Sequence, residues 1–69
     1  MNEITLDAAM TMAKTELPTG WNVSLDIEDG EVAVWLYNER RKGYDFESDG
    51  LTVAQQIVSA VNKAKEMAK

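Results

Sequence analysis

Asp29-Gly30 stands between two runs of alternating polarity, and no other feature of this chain limits its fold so strongly. Before the pair, Trp21, Val23, Leu25 and Ile27 alternate with Asn22, Ser24, Asp26 and Glu28. After it, Val32, Val34 and Leu36 alternate with Glu31, Ala33, Trp35 and Tyr37. A period of two marks a strand with one buried face. An Asp-Gly pair between two such runs predicts a type I′ hairpin turn, which needs positive φ at both central residues. A two-residue loop also fixes register. With Glu28 opposite Glu31, the facing pairs become Ile27 with Val32, Leu25 with Val34 and Val23 with Leu36, all aliphatic. A slip of one residue would send every one of these side chains to the other face. Ala33, Trp35 and Tyr37 must then point away from the aliphatic row, beside Asp26, Ser24 and Asn22.

The flanking segments read as helices. Leu6, Ala9, Met10, Ala13 and Leu17 recur at helical spacing. Thr5 is placed to cap this helix, and Asp7 falls in its first turn, where the helix dipole favours negative charge. The spacing predicts a helix over Thr5–Glu16, ended by Leu17-Pro18-Thr19-Gly20, since proline disfavours helix at the residue before it and glycine permits a sharp redirection. A polar, basic loop Asn38-Glu39-Arg40-Arg41-Lys42 leads to a third strand over Gly43–Glu47. If Tyr37 faces Gly43, Tyr44 and Phe46 join Leu36 and Val34 in the core, while Asp45 and Glu47 flank Trp35 on the outer face. Ser48-Asp49-Gly50 forms a further turn. Thr52-Val53-Ala54-Gln55 matches a capping box, in which threonine and glutamine satisfy free backbone N–H groups at a helix start. Val53, Ala54, Ile57, Val58, Val61, Ala64 and Ala68 then form a broad apolar stripe. Lysines towards the end, Lys69 included, suit the negative pole of the dipole.

The order is α-β-β-β-α. The economical α+β assembly is a three-stranded antiparallel meander with two helices packed on one face. Sixty-nine residues make one domain, 1–69. So short a chain buries only about 60% of the surface that its unfolded form exposes, so its core is thin. One sheet face is covered, and no element remains to cover the other, which bears Trp35 and Tyr37.

Residue types exclude most chemistry. Without His or Cys the chain lacks the usual general base, a thiolate nucleophile and soft-metal ligands, and a histidine-based serine triad is ruled out. Carboxylates remain, on turns and on the outer sheet face where water solvates them. The four glycines sit singly, so there is no phosphate-cradling loop. An enzyme is therefore not expected, nor is a cofactor. Asp26, Glu28, Asp29 and Glu31 invite a calcium reading, but the spacing fails the helix-flanked calcium loop, and a solvated turn explains them as well. Glu28 opposite Glu31 is a like-charged pair, a mild strain that a cation or basic partner would relieve. Arg40-Arg41-Lys42 is the only basic run and reads either as an anion contact or as a solvated hairpin tip.

The formal charge is −5, from twelve acidic and seven basic side chains. Such a charge repels nucleic acid and anionic membrane and favours basic partners. No apolar run approaches a membrane span, and Met1-Asn2-Glu3 lacks the basic start of a signal peptide. With no cysteine to form a disulfide, a reducing, cytoplasmic setting is expected.

In element order and length the chain resembles double-stranded-RNA-binding domains, which would imply RNA contacts from the first helix, the first hairpin turn and the start of the last helix. The matching places hold Glu3 and Asp7, then Glu28-Asp29-Gly30-Glu31, then Asp49 to Gln55, all acidic or neutral. Nucleic acid is accordingly not expected as a partner.

Trp35 and Tyr37 admit two readings. On an open sheet face they could anchor a partner, as large amphipathic aromatics do; alternatively they only pack across strands, as β-formers do. The first gives the expected function: a small, acidic, non-enzymatic protein-interaction module that uses Trp35 and Tyr37 as anchors and Asp26, Asp45 and Glu47 to favour a protein with a basic surface. In size and charge the chain resembles the small acidic inhibitors of phages, anti-CRISPR proteins among them. That likeness implies inhibition of a nucleic-acid-binding protein by an acidic surface occupying sites meant for phosphate. Self-association into a homodimer through the open sheet face is the alternative, and nucleic-acid binding in the manner of those RNA-binding domains, through Arg40, Arg41, Lys42 and the late lysines, ranks below both.

Overall fold

The computed structural model of the protein describes residues 4–68. Met1, Asn2, Glu3 and Lys69 lie outside them, and with them the expectations about a leader, Glu3 and a terminal lysine; Asp7 does fall in the first turn of the first helix. Five elements follow in the expected order: α1 Leu6–Glu16, β1 Asn22–Glu28, β2 Glu31–Tyr37, β3 Gly43–Tyr44 and α2 Val53–Met67. The strands form one antiparallel sheet in the order β1-β2-β3.

The hairpin has the register that the Asp-Gly turn demands. Asp29 and Gly30 both adopt positive φ, 53° and 78°. Glu28 pairs with Glu31, Ile27 with Val32, Leu25 with Val34 and Val23 with Leu36. Tyr37 pairs with Gly43 and Leu36 with Tyr44, as expected, and Tyr44 and Phe46 pack against the core. β3 is much shorter than expected, because its ladder stops after Tyr44. The loop before it is held by Asn38, whose Oδ1 accepts from the backbone N–H groups of Arg40 and Lys42, both at 2.9 Å. Asn38 N–H donates to the Lys42 carbonyl, and Arg41 takes the left-handed conformation at φ 63°.

Both helix starts are capped by threonine. Thr5 Oγ1 accepts from the Ala8 N–H at 3.1 Å. At α2 the full capping box is present, with Gln55 N–H donating to Thr52 Oγ1 at 3.1 Å and Thr52 N–H donating to Gln55 Oε1 at 2.9 Å.

α2 carries most of the contact with the sheet, chiefly over β2, and α1 packs alongside α2. The core comprises Ala9, Val34, Leu36, Ala54, Ile57, Ala60, Val61 and Ala64. Alanine fills half of these places and lets the layers approach closely, but it buries little apolar area. Among the described residues only Leu36, Ile57 and Val61 combine bulk with nearly complete burial. The α1 stripe turns out narrower than its sequence pattern. Ala9 is sealed while Leu6 and Met10 are half exposed, because the buried line follows α2 and Met10 stands about 100° round the helix from Ala9. Lys65 Nζ meets Glu16 Oε1 at 2.7 Å and ties the C-terminal ends of the helices together. Both side chains are over 40% exposed, so this pair contributes about 1 kcal/mol at most.

The α1–β1 connection depends on a close approach. Trp21 N–H donates to the Pro18 carbonyl at 3.1 Å across a turn whose third residue is Gly20, at φ 89°. A Cβ at Gly20 would lie 2.9 Å from the Glu39 Cβ, whereas one at Gly30 would meet nothing within 4 Å. Both glycines carry the left-handed backbone term, and only Gly20 adds a clash. Gly20→Ala is therefore expected to destabilise the fold by about 2–3 kcal/mol and Gly30→Ala by about 1 kcal/mol, read by urea unfolding. Equal losses in the two variants would show that the approach to Glu39 is not tight.

Candidate functional site

The molecule measures 18 Å along its thinnest axis, the depth of one helix layer on one sheet. The second sheet face is therefore open. Pairing of Ser24 with Trp35, Asp26 with Ala33 and Asn22 with Tyr37 sets these side chains together on it. The Trp35 side chain is 48% exposed and Tyr37 is half-buried.

Trp35 divides this face into two electrostatically different halves. Towards the hairpin turn lies a shallow depression of about 390 Å³, lined by Trp35 and Ala33 together with the carboxylates of Asp26, Glu28, Asp29 and Glu31. No lysine or arginine lines it. Four carboxylates within so short a stretch set up a local negative field, which attracts cations and basic side chains. Towards the open end of the hairpin a second depression is lined by Asn22, Ser24, Tyr37 and Arg41. Asp-Gly geometry builds the acidic half, and the left-handed turn at Arg41 builds the basic one.

The expected site residues do not all gather here. Trp35, Tyr37 and Asp26 share the open face. Asp45 is exposed and follows directly on the last paired residue of β3. Glu47 lines a different depression, with Ile4, Phe46 and Val58 against α2. The short β3 explains this: once its ladder ends, nothing holds Glu47 beside Trp35. Conversely, Glu28, Asp29 and Glu31, read from sequence as a turn, belong to the wall beside the indole. Arg41 was also missed as a neighbour of Tyr37. Its signal was Asn38, whose side chain commonly closes a tight loop on the backbone that follows it.

Not all aromatics serve this face. Trp21 packs against the core, its ring 5.3 Å from that of Tyr44. Lys42 Nζ stands 5.5 Å above the Tyr44 ring, and Asn38 Nδ2 donates to the Tyr44 hydroxyl at 3.2 Å. This cluster closes the open end of the hairpin, and it accounts for one cation of the basic run without invoking an anion.

Among the described residues no group of three or more carboxylates is arranged to hold a metal ion, and no helix is long and apolar enough to cross a membrane. No family model, curated protein or solved structure matches the chain.

The acidic wall around Trp35 has an optical consequence. In a Trp21→Phe variant, which leaves Trp35 as the sole indole, cesium is expected to quench fluorescence about twofold more efficiently than iodide, relative to their ratio on a free indole. The preference should collapse at about 1 M salt, where the Debye length falls to about 3 Å. A preference for iodide at low salt would contradict the negative field.

Proposed function

We propose that this chain is a non-enzymatic interaction module that binds a protein with a basic surface through its open sheet face. The observation that carries this reading is the half-exposed indole of Trp35 set in a wall of Asp26, Glu28, Asp29 and Glu31. An amphipathic aromatic beside carboxylates suits an Arg- or Lys-bearing surface: the ring contributes apolar area and a cation–π face, and the carboxylates contribute charge. Tyr37 extends the apolar strip, and Asp45, exposed just past the end of β3, adds to the chain's negative charge. Glu47 lies elsewhere and has no part in this reading. Glu28 and Glu31, directly opposed across the hairpin, repel each other in the free protein, and a basic partner relieves that repulsion.

Such a module acts by occupancy. When the partner is a nucleic-acid-binding protein, the carboxylates compete with phosphate for the same basic side chains, and the outcome is inhibition. The chain's own charge of −5 favours encounter with such a partner and disfavours direct binding to nucleic acid.

The test is affinity capture with mass spectrometry, comparing the wild-type chain with a Trp35→Ala/Tyr37→Ala variant of verified fold. Captured partners should present basic surfaces and release as salt rises, and the variant should lose at least about tenfold in affinity, in line with the weight of aromatic anchors. Undiminished capture by the folded variant would remove the proposal. Sedimentation at micromolar concentration should show a monomer. A dimer that the same variant dissolves would assign the face to self-association instead.

A further inference from the structure

The strand order leaves one side of β1 without a neighbour. In an antiparallel pair closed by a two-residue turn, the residues flanking the turn exchange both backbone hydrogen bonds, and such pairs recur at every second position. Glu28 with Glu31, Asp26 with Ala33, Ser24 with Trp35 and Asn22 with Tyr37 are therefore the hydrogen-bonded pairs. The backbone N–H and C=O groups of Val23, Leu25 and Ile27 consequently point away from β2. Among the described residues no loop, helix or side chain hydrogen-bonds to any of these three.

Side-chain exposure coincides with this unpaired edge. Every β1 residue except Val23 is exposed. Ile27 is 75% exposed and Leu25 43%, although both lie on the aliphatic face. Exposed sheet edges are ordinarily blunted by proline, lysine, a bulge or an inward-pointing charge. Asn22–Glu28 contains no proline and no lysine, and its pairing with β2 is continuous. Its two charges, Asp26 and Glu28, belong to the outer face. One edge thus offers three outward donor–acceptor positions, an uncovered aliphatic pair on one face and two carboxylates on the other.

We infer that the free edge of β1 is a strand-addition site for an extended protein segment in which apolar side chains alternate with lysine or arginine. This rests on the interaction-module reading and gives its partner a shape. Residues paired across strands share a face. The incoming residues opposite Leu25 and Ile27 are therefore apolar and cover them, and those opposite Asp26 and Glu28 are basic. The backbone ladder supplies affinity and the alternation supplies specificity. A second copy of this chain fits less well. Two β1 strands joined antiparallel about Leu25 satisfy the same backbone groups, but they set Asp26 of one copy diagonal to Asp26 of the other and bring no cation to either.

The probe is a blocked peptide of about eight residues alternating valine and lysine, a length that matches one strand, titrated into the isotope-labelled full chain. The amides of Val23, Leu25 and Ile27 should shift and gain at least about tenfold protection from hydrogen exchange, as newly paired edge groups do. A valine–glutamate peptide should leave them unchanged. Ile27→Lys, at a position already exposed, should weaken the lysine peptide by at least about tenfold, since an inward charge blocks edge pairing; should that variant unfold, the wild-type amide pattern decides alone. Shifts confined to the Trp35 indole and its carboxylate neighbours would overturn edge docking and leave the open-face reading standing. Retained edge binding in Trp35→Ala/Tyr37→Ala would support strand addition and count against the aromatic face. Absence of peptide binding overturns the inference. So does edge protection that grows with protein concentration alone and resists the peptide, which would assign the edge to a second copy.

Discussion

Positive φ at two consecutive residues, Asp29 and Gly30, is the constraint from which the rest of the molecule follows. That backbone geometry matches the right-handed twist of paired strands, so the turn admits one hairpin register without splaying it. The register sends Val34 and Leu36 towards α2, where Leu36 joins Ile57 and Val61, the bulkiest fully buried side chains among the described residues. By the same alternation Trp35 is turned outward, and Asp26, Glu28 and Glu31 are gathered beside it. Core and surface are two results of one parity, and neither can be changed without the other.

What the core lacks shapes the surface. Four of the eight core positions are alanine, and α2 covers only part of the sheet. Burial is strong at Val34 and Leu36 on β2 and fades both across to β1 and towards the turn, so that Leu25 and Ile27 stay in contact with water. Leaving such residues solvated forgoes about 25 cal/mol per Å² of apolar area. In a chain with a thin core and no disulfide, that uncovered area is a reserve of binding energy which association with another chain would release.

Much of this was legible in the amino-acid order, for reasons that can be traced. The hairpin register was readable because a two-residue turn and a strict alternation are independent signals that agree on every pair from Asn22–Tyr37 to Glu28–Glu31. The α2 start was readable because Thr52 and Gln55 form a local motif needing no distant partner. Less legible were properties set by how far one layer overlaps another. Alternation marks Ile27 as inward but says nothing about whether a helix reaches it, and the α1 stripe gives no hint that Leu6 and Met10 fall outside the α2 contact. The length of β3 depended on where pairing stops after Tyr44, which a five-residue loop does not dictate, and the misplacement of Glu47 follows from that. Trp35 and Tyr37 were placed on the open face correctly, whereas Glu28, Asp29 and Glu31 were read as a solvated turn with at most a strained like-charged pair, and not as the wall beside the indole.

Register is most directly measured by short Hα–Hα contacts in nuclear Overhauser spectra, which arise between the residues of non-hydrogen-bonded antiparallel pairs, where the Cα atoms approach to about 4.5 Å. The account predicts three such contacts: Val23 with Leu36, Leu25 with Val34 and Ile27 with Val32. Contacts of Ser24 with Leu36 or of Asp26 with Val34, the marks of a hairpin slipped by one residue, would contradict it, because they would bring Trp35 and the aliphatic row to one another's faces.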